Sequence, residues 1–353
     1  MAVDEARLEQ FMGQVIGHLV GGGLVYGMWL GDETGLYRAM AGAGPLGADE
    51  VASRAGCNPR LVREWLDGQA AGKLVGYDPA TDRYTLSEEA AMALADDSSP
   101  VFVARGMNVF GSMFMDLPKL AAAFRGDGTF PWGEHNPCLF KGTEWFFRTG
   151  YRAHLPSEWI PALDGVEAKL VRGARVADVG CGHGASVAVM AQAYPNSHIS
   201  GIDFHGPSIE TARERAAEAG VADRTEFHVA SAKEYDGTYD LICFFDCLHD
   251  MGDPVGAARH ALNHLEPDGT VLLVEPFAHD DRTENMESNP MASLFFMASS
   301  AVCTPNSLSQ DVGLGLGAQA GEARLRQVFE EAGFTKFRRA AETAINLILE
   351  ARP

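Results

Sequence analysis

The chain has 353 residues, enough for about two domains. Hydrophobic residues make up 46% and charged residues 22%, the balance of a globular protein that buries a core and not of a disordered one. The formal net charge of −20 argues against nucleic acid as a partner, because phosphate contacts need a basic face.

The first residues carry Asp4 and Glu5 in place of the basic stretch of a secretory leader. The apolar run 15–30 holds His18 and several glycines, too short and too broken to span a bilayer. The six cysteines, Cys57, Cys138, Cys181, Cys243, Cys247 and Cys303, include no C-x-x-C pair. Neither a zinc site nor a disulfide framework is indicated, and a reducing cytoplasm without membrane attachment fits.

Residues 4–30 read as an amphipathic helix with Leu8, Phe11, Met12, Val15, Ile16 and Leu19 on one face. The run Gly21-Gly22-Gly23 is expected to interrupt it or to admit close packing. Such a face serves a core or an oligomer contact equally well. Residues 34–95 read as a winged helix: short helices over 35–40 and 46–55, a third opened by Pro59 with Val62, Trp65 and Leu66 inward, and a hairpin of 73–77 with 83–86. Helix-turn-helix folds often bind DNA, but residues 1–100 hold 15 acids against 7 bases, which speaks against it here.

Residues 101–165 are helical and aromatic, divided by glycines and prolines. Aromatics at helical spacing serve a core, and they also wall small-molecule sites; on the second reading Trp145, Phe147, Tyr151 and Arg152 form a substrate roof. From 166 strands and helices alternate. Strands are predicted at 175–179, 198–202, 225–229, 239–245, 270–275, 334–340 and 345–351, with helices at 185–194, 207–219, 254–264 and 320–332. No helix fits between the last two strands, so they pair as a hairpin and one strand runs antiparallel to the rest. Residues 277–319 interrupt the pattern: a polar start, an apolar helix with Phe296, then glycines that suit the hinge of a lid.

The stretch Arg175–Gly184 organises the second half. An apolar strand carrying one acid, Asp178, runs into Gly180, Gly182 and Gly184 at alternate positions, and a helix follows. Gly180-x-Gly182-x-x-Ala185 also satisfies the dinucleotide fingerprint. A pyrophosphate at this turn would be repelled by Asp178, whereas the sulfonium and ammonium of S-adenosylmethionine would be welcomed. Asp203, ending the next strand roughly 20 residues on, suits ribose hydroxyls in either case.

In order, Val-Ala-Asp-Val-Gly-Cys-Gly-His-Gly184, Ile-Asp203, Tyr-Asp-Leu-Ile-Cys-Phe-Phe-Asp-Cys-Leu-His-Asp250 and Leu-Glu-Pro-Asp-Gly-Thr-Val-Leu-Leu-Val-Glu275 resemble class I S-adenosylmethionine-dependent methyltransferases. With the winged-helix start, the whole chain resembles the small-molecule O-methyltransferases of plants and bacteria. The resemblance implies an α/β fold: a Rossmann-like seven-stranded sheet with its last strand antiparallel, over 166–353 with a lid at 277–319. It is preceded by an N-terminal α-helical winged-helix domain over 1–100, which dimerises and walls the substrate site instead of reading DNA. It implies S-adenosyl-L-methionine as cofactor, a small-molecule acceptor, no metal, and a cytoplasmic homodimer. Asp178, Gly180 and Gly182 would meet the methionine part of the cofactor, with Gly184 closing the same turn, and Asp203 the ribose. Phe204, Ser231 and Ala232 would meet the adenine, although the family carries an acid where Ser231 stands. Phe245 and Asp246 fall beside the sulfonium. His249 matches the family's general base and Glu275 the acid that orients it. The second flanking acid aligns near Gln319, a departure, and Asp250 reads as a helix-entry or loop-capping residue before a catalytic one. N- or C-methyl transfer without a strong base, a cofactor-sensing winged-helix regulator and a nicotinamide oxidoreductase are the rival readings.

Overall fold

Asp4 caps the first helix, α1 (Glu5–Glu33), by accepting the amides of Ala6 and Arg7. The helix runs unbroken through Gly21-Gly22-Gly23, where the sequence predicts a break or a close contact; nothing approaches these glycines. Each glycine weakens a helix by about 1 kcal/mol relative to alanine. That cost is spread over 29 residues anchored by the cap at one end and by buried Gly27, Gly31 and Asp32 at the other. Leu8, Phe11, Met12, Ile16 and Leu19 stand exposed on the chain.

The winged helix follows as α2 (Leu36–Met40), α3 (Ala48–Ala55) and α4 (Pro59–Ala71). Asn58 caps α4 and Pro59 occupies its first turn, where a missing N–H costs nothing. The wing is the hairpin of β1 (Gly76–Asp78) and β2 (Arg83–Thr85), with Tyr77 opposite Tyr84. Tyr37, Val51, Val62, Trp65, Leu66 and Tyr84 form its core.

The computed structural model describes residues 3–353. They fall into two units: residues up to Ser112 with Lys141–Thr149, and Met113–Phe140 with Gly150–Pro353. In the second unit lie β3 (Arg175–Val179), β4 (His198–Asp203), β5 (Thr225–Val229), β6 (Tyr239–Phe245), β7 (Leu265–Pro276), β8 (Lys336–Glu342) and β9 (Asn346–Arg352). Their order is β5-β4-β3-β6-β7-β9-β8, and β9 is antiparallel to both neighbours. The hairpin expected from the missing helix is therefore present, and its second strand inserts between the first and β7. The central strands are apolar on both faces, as a sheet covered on both sides requires, with Val176, Ala177, Ile242, Phe244, Leu273 and Leu349 fully buried.

The chain leaves β3 toward β4 and β5 on one side, then crosses to β6 on the other. In such sheets ligands bind beyond the carboxyl ends of the strands where the order reverses. That places the loops after β3, β4 and β6 at the crevice. Among the described residues no helix is long and apolar enough to cross a membrane.

Candidate functional site

The turn after β3 is tied to β4 by backbone: the amides of Gly180 and Cys181 both donate to the Ile202 carbonyl. Gly180 has φ +81°, and a Cβ there would lie 2.8 Å from Cys247 Sγ. Gly182 has φ +51° but open space where a Cβ would project, room that a ligand can use. Gly184 precedes the helix Ala185–Ala193.

Asp178 lies beneath this turn, fully buried. Ser186 donates its hydroxyl to one carboxylate oxygen; the other is buried with no partner. Burial raises its pKa from 3.8 to about 7. Asp203 accepts the amides of Gly182 at 2.9 Å and His205 at 2.8 Å, so it braces the glycine turn. Burial raises its pKa as well, against the lowering effect of the two amides.

Phe204 is exposed beside it. Ser231 donates its hydroxyl to Glu234 at 2.7 Å, and Ala232 packs on the sheet core. Phe245 is buried with its ring centroid 5.3 Å from that of Tyr151. Asp246 holds the left-handed conformation at φ +50°, uncommon for a residue with a side chain and a mark of functional sites. Its Oδ1 accepts from Asn346 at 2.9 Å, while Oδ2 is buried with no partner. Burial, then Glu275, pushes its pKa well above the carboxylate range. The Tyr151 phenol, itself raised by burial, lies within the field of both Asp246 and Asp178.

His249 sits in the short turn Leu248–Asp250 after β6, and Glu275 near the end of β7. The two side chains are buried and meet: Nδ1 of the imidazole hydrogen-bonds the Glu275 carboxylate, which also accepts the His249 amide at 3.3 Å. The Asp250 side chain, expected to enter a helix or cap a loop, is turned to His249. Its Oδ1 is buried, outside hydrogen-bond geometry with any group, and lies 3.1 Å from His249 Nε2. Burial alone would lower the pKa of His249, but Glu275 and Asp250 outweigh it and hold the imidazole well above its usual value. Gln319 bonds instead to Asn285 and to the carbonyls of Phe277 and Ala318. The second acid on this histidine is therefore its chain neighbour.

Of the aromatic residues, Tyr151 and Phe296 belong to this unit. Phe296 lines a cavity of about 570 Å³ together with Phe124, Thr304, Leu308, Gly317 and Gln319. Gly317 also donates its amide to the His249 carbonyl at 3.3 Å. No basic side chain lines this cavity among the described residues. Arg152 is exposed. Trp145 and Phe147 fall in the first unit. There Trp145 is core, packed edge-on to Phe102 with the guanidinium groups of Arg105 and Arg148 over its ring, and Phe147 contacts Phe146. Sequence reading missed Asn346, which holds Asp246, and Cys303, whose thiol lies near His249 and Asp250. No local pattern marks either residue; only strand pairing and helix packing bring them in.

Residues 23–96 match the Rv2258c-like winged HTH domain. The chain is 35% identical over 104 residues to the 27-O-demethylrifamycin SV methyltransferase of Amycolatopsis mediterranei, covering 29% of this chain and 38% of that one. It is 31% identical over 142 residues to the ubiquinone biosynthesis O-methyltransferase of Bordetella avium, covering 39% and 52%. The matches thus span 27% to 52% of the length of the first curated relatives. A putative O-methyltransferase from Nostoc punctiforme shares the fold, with a TM-score of 0.72 over 99% of both chains at 21% identity. Residues 151–337, more than half of the chain, match the methyltransferase domain model, and the chain belongs to that family.

Proposed function

We propose that this protein binds S-adenosylmethionine at the glycine turn and methylates a hydroxyl of a small aromatic or apolar acceptor. One observation carries the cofactor reading: the buried carboxylates of Asp178 and Asp246, at the ends of β3 and β6, each keep one oxygen without a partner. Buried charge without a partner is costly and invites a cation. A phosphate would meet repulsion there, whereas a sulfonium and an ammonium satisfy both acids. Gly182 leaves room for close approach, Asp203 can accept ribose hydroxyls, and exposed Phe204 offers a face for the adenine. Ser231 and Ala232 complete that end, with Phe245 beside the sulfonium.

The cofactor supplies a methyl carbon already activated by its positive sulfur, so the protein mainly orients the partners. Glu275 holds Nδ1–H of His249 and leaves Nε2 as the atom that removes the acceptor's proton. The cavity beside Gly317 is of ordinary ligand size and lined without cations, which suits an uncharged acceptor. Both curated relatives described above carry O-methylation in their names or substrates. A second reading has its own support: an imidazole between two carboxylates is favoured as the cation. It would then orient an acceptor that needs no base, as in N- or C-methylation.

We further propose a homodimer joined through the exposed apolar face of α1, with no role for nucleic acid; light scattering on the intact chain tests it. Calorimetry with adenosylmethionine, adenosylhomocysteine and NAD tests the cofactor. Tight binding of NAD with neglect of adenosylmethionine would sink the reading. Transfer of labelled methyl to a panel of phenols, amines and carbon acids then decides the acceptor atom.

A further inference from the structure

Cys303 adds a third donor atom to the pair formed by His249 and Asp250. It ends the π-helical turn Ser299–Cys303 that joins the helices Ala292–Ala298 and Thr304–Leu308. Such turns inside helices are frequent at functional sites. The result is that one ligand atom from each of His249, Asp250 and Cys303 lies within 4.8 Å of the others.

Three features of this cluster go beyond proximity. Asp250 Oδ1 is buried and no other element supplies it a hydrogen-bond donor, so it faces only the His249 imidazole and the Cys303 thiol. His249 gives its other nitrogen to Glu275, and metal-bound histidines nearly always place their second nitrogen on a carboxylate, a backbone carbonyl or water, which fixes the ring. The donors are one sulfur, one imidazole nitrogen and one carboxylate oxygen. That set selects zinc-like ions over magnesium or calcium, which take oxygen. Bonds of about 2.0–2.3 Å in a tetrahedron put donors about 3.4 Å apart, so shifts of about 1 Å would complete three corners and leave the fourth open.

We propose that His249 Nε2, Asp250 Oδ1 and Cys303 Sγ bind a divalent cation of the zinc class, and that binding shuts off methyl transfer by occupying Nε2. In the binding step the cation forms bonds to nitrogen, oxygen and sulfur, while the thiol proton and any proton on Nε2 leave to solvent. No redox change occurs. The cation binding stands without the methyl-transfer reading; the inhibition rests on it.

The test uses the intact chain, stripped of metal with a chelator and titrated with Co²⁺, whose bond to a thiolate gives a near-ultraviolet charge-transfer band. Zn²⁺ is then titrated by competition. The expected result is one ion per chain with the thiolate band, absent in Cys303→Ala, and binding weakened at least about tenfold in that variant. Glu275→Gln, which touches the ring's second nitrogen and the His249 amide but none of the three donor atoms, should weaken binding by about 10–100-fold. Zn²⁺ should arrest methyl transfer by the parent and spare Cys303→Ala, whose melting temperature and adenosylmethionine affinity serve as folding controls. A thiolate band that survives Cys303→Ala, or no such band in the parent, overturns the site. Stoichiometric Zn²⁺ binding with undiminished turnover overturns the inhibition. Failure to bind adenosylmethionine would refute the proposed function and leave the cobalt spectra unaffected.

Discussion

Asp250 Oδ1 lies 3.1 Å from Nε2 of His249, the ring nitrogen that Glu275 leaves free. Neighbours in sequence thus compete for the atom that a hydroxyl acceptor needs. Both carboxylates favour the protonated ring, so the neutral base is populated only above a raised pKa. Methyl transfer to a phenol or alcohol should therefore accelerate with rising pH. Asp250→Asn should move that rise to lower pH, since one carboxylate fewer stabilises the imidazolium. His249→Ala should lose about 10²–10⁴-fold. A flat pH–rate profile with loss below tenfold would remove His249 from base duty and favour the reading in which it orients an acceptor that needs none.

Asp178 stores a cost that a cationic ligand can relieve. Its carboxyl sits at about 7 against 3.8 in the unfolded chain, so ionising it in the folded state costs about 4 kcal/mol. The unfolded chain loses this proton first. The penalty therefore builds as pH climbs from about 4 and is complete above about 7. Asp178→Asn should raise the stability of the ligand-free protein at pH 8, by about 1–3 kcal/mol once an amide without a partner is set against the gain. The benefit should fade toward pH 4. The same variant should weaken adenosylmethionine binding about ten- to a hundredfold, the worth of one charge-assisted bond. Chemical denaturation at both pH values and calorimetry measure the two effects.

The fold was legible because its signals are local. Alternating apolar runs and helical stretches placed every strand of the sheet to within a few residues, and the missing helix after Phe334 implied the antiparallel hairpin. The strand starting at Leu265 is longer than predicted because it continues through Asp268-Gly269. The site was legible only in part. The positions of Asp178, Asp203, Asp246, His249 and Glu275 follow from strand ends, but where each oxygen points does not. Asp178 faces Ser186 under the turn, and each Asp203 oxygen accepts one backbone amide and keeps a second lone pair. Cys303 reaches His249 through a π-helical turn inside an insertion that has no periodic signature. Trp145 reads the same whether it walls a pocket or fills a core, since hydrophobicity does not name the neighbour.

His135 and His249 should give opposite slopes of stability with pH. His135 is buried against Phe130, with Nδ1 3.0 Å from Asp116 and Nε2 without a partner. Burial lowers its pKa more than Asp116 raises it. As pH falls below 6.5 the unfolded chain takes up this proton first, so the contribution is present above 6.5 and lost as pH drops toward the depressed value. For His249 the folded value is raised. Its contribution is full below 6.5 and lost as pH climbs through the folded pKa. Urea unfolding across pH should show acid-side loss that flattens in His135→Gln. It should also show a decline on the alkaline side that flattens in His249→Asn; slopes unchanged in both variants would contradict these assignments.

Gly180 and Gly182 separate the fold's requirement from the ligand's. Both hold positive φ, where a side chain costs roughly 1–2 kcal/mol. At Gly180 a Cβ would also press on Cys247 Sγ at 2.8 Å, and that thiol is engaged with the Val179 carbonyl at 3.1 Å. Relief would need a shift at the end of β6, and overpacking of this kind adds roughly 1–3 kcal/mol. Gly180→Ala should therefore destabilise the protein by about 2–5 kcal/mol whether or not ligand is present. Gly182→Ala meets open space and should cost only the backbone strain, yet its methyl group would stand where the proposed cofactor approaches. Its adenosylmethionine affinity should fall by more than its stability predicts, and Gly182→Met, longer but unbranched at Cβ, should fall further with little added unfolding. Thermal melts beside calorimetric titrations of the three variants distinguish the cases. Equal loss of stability at both positions, with binding tracking stability, would mean that the space above Gly182 is not where the ligand lies.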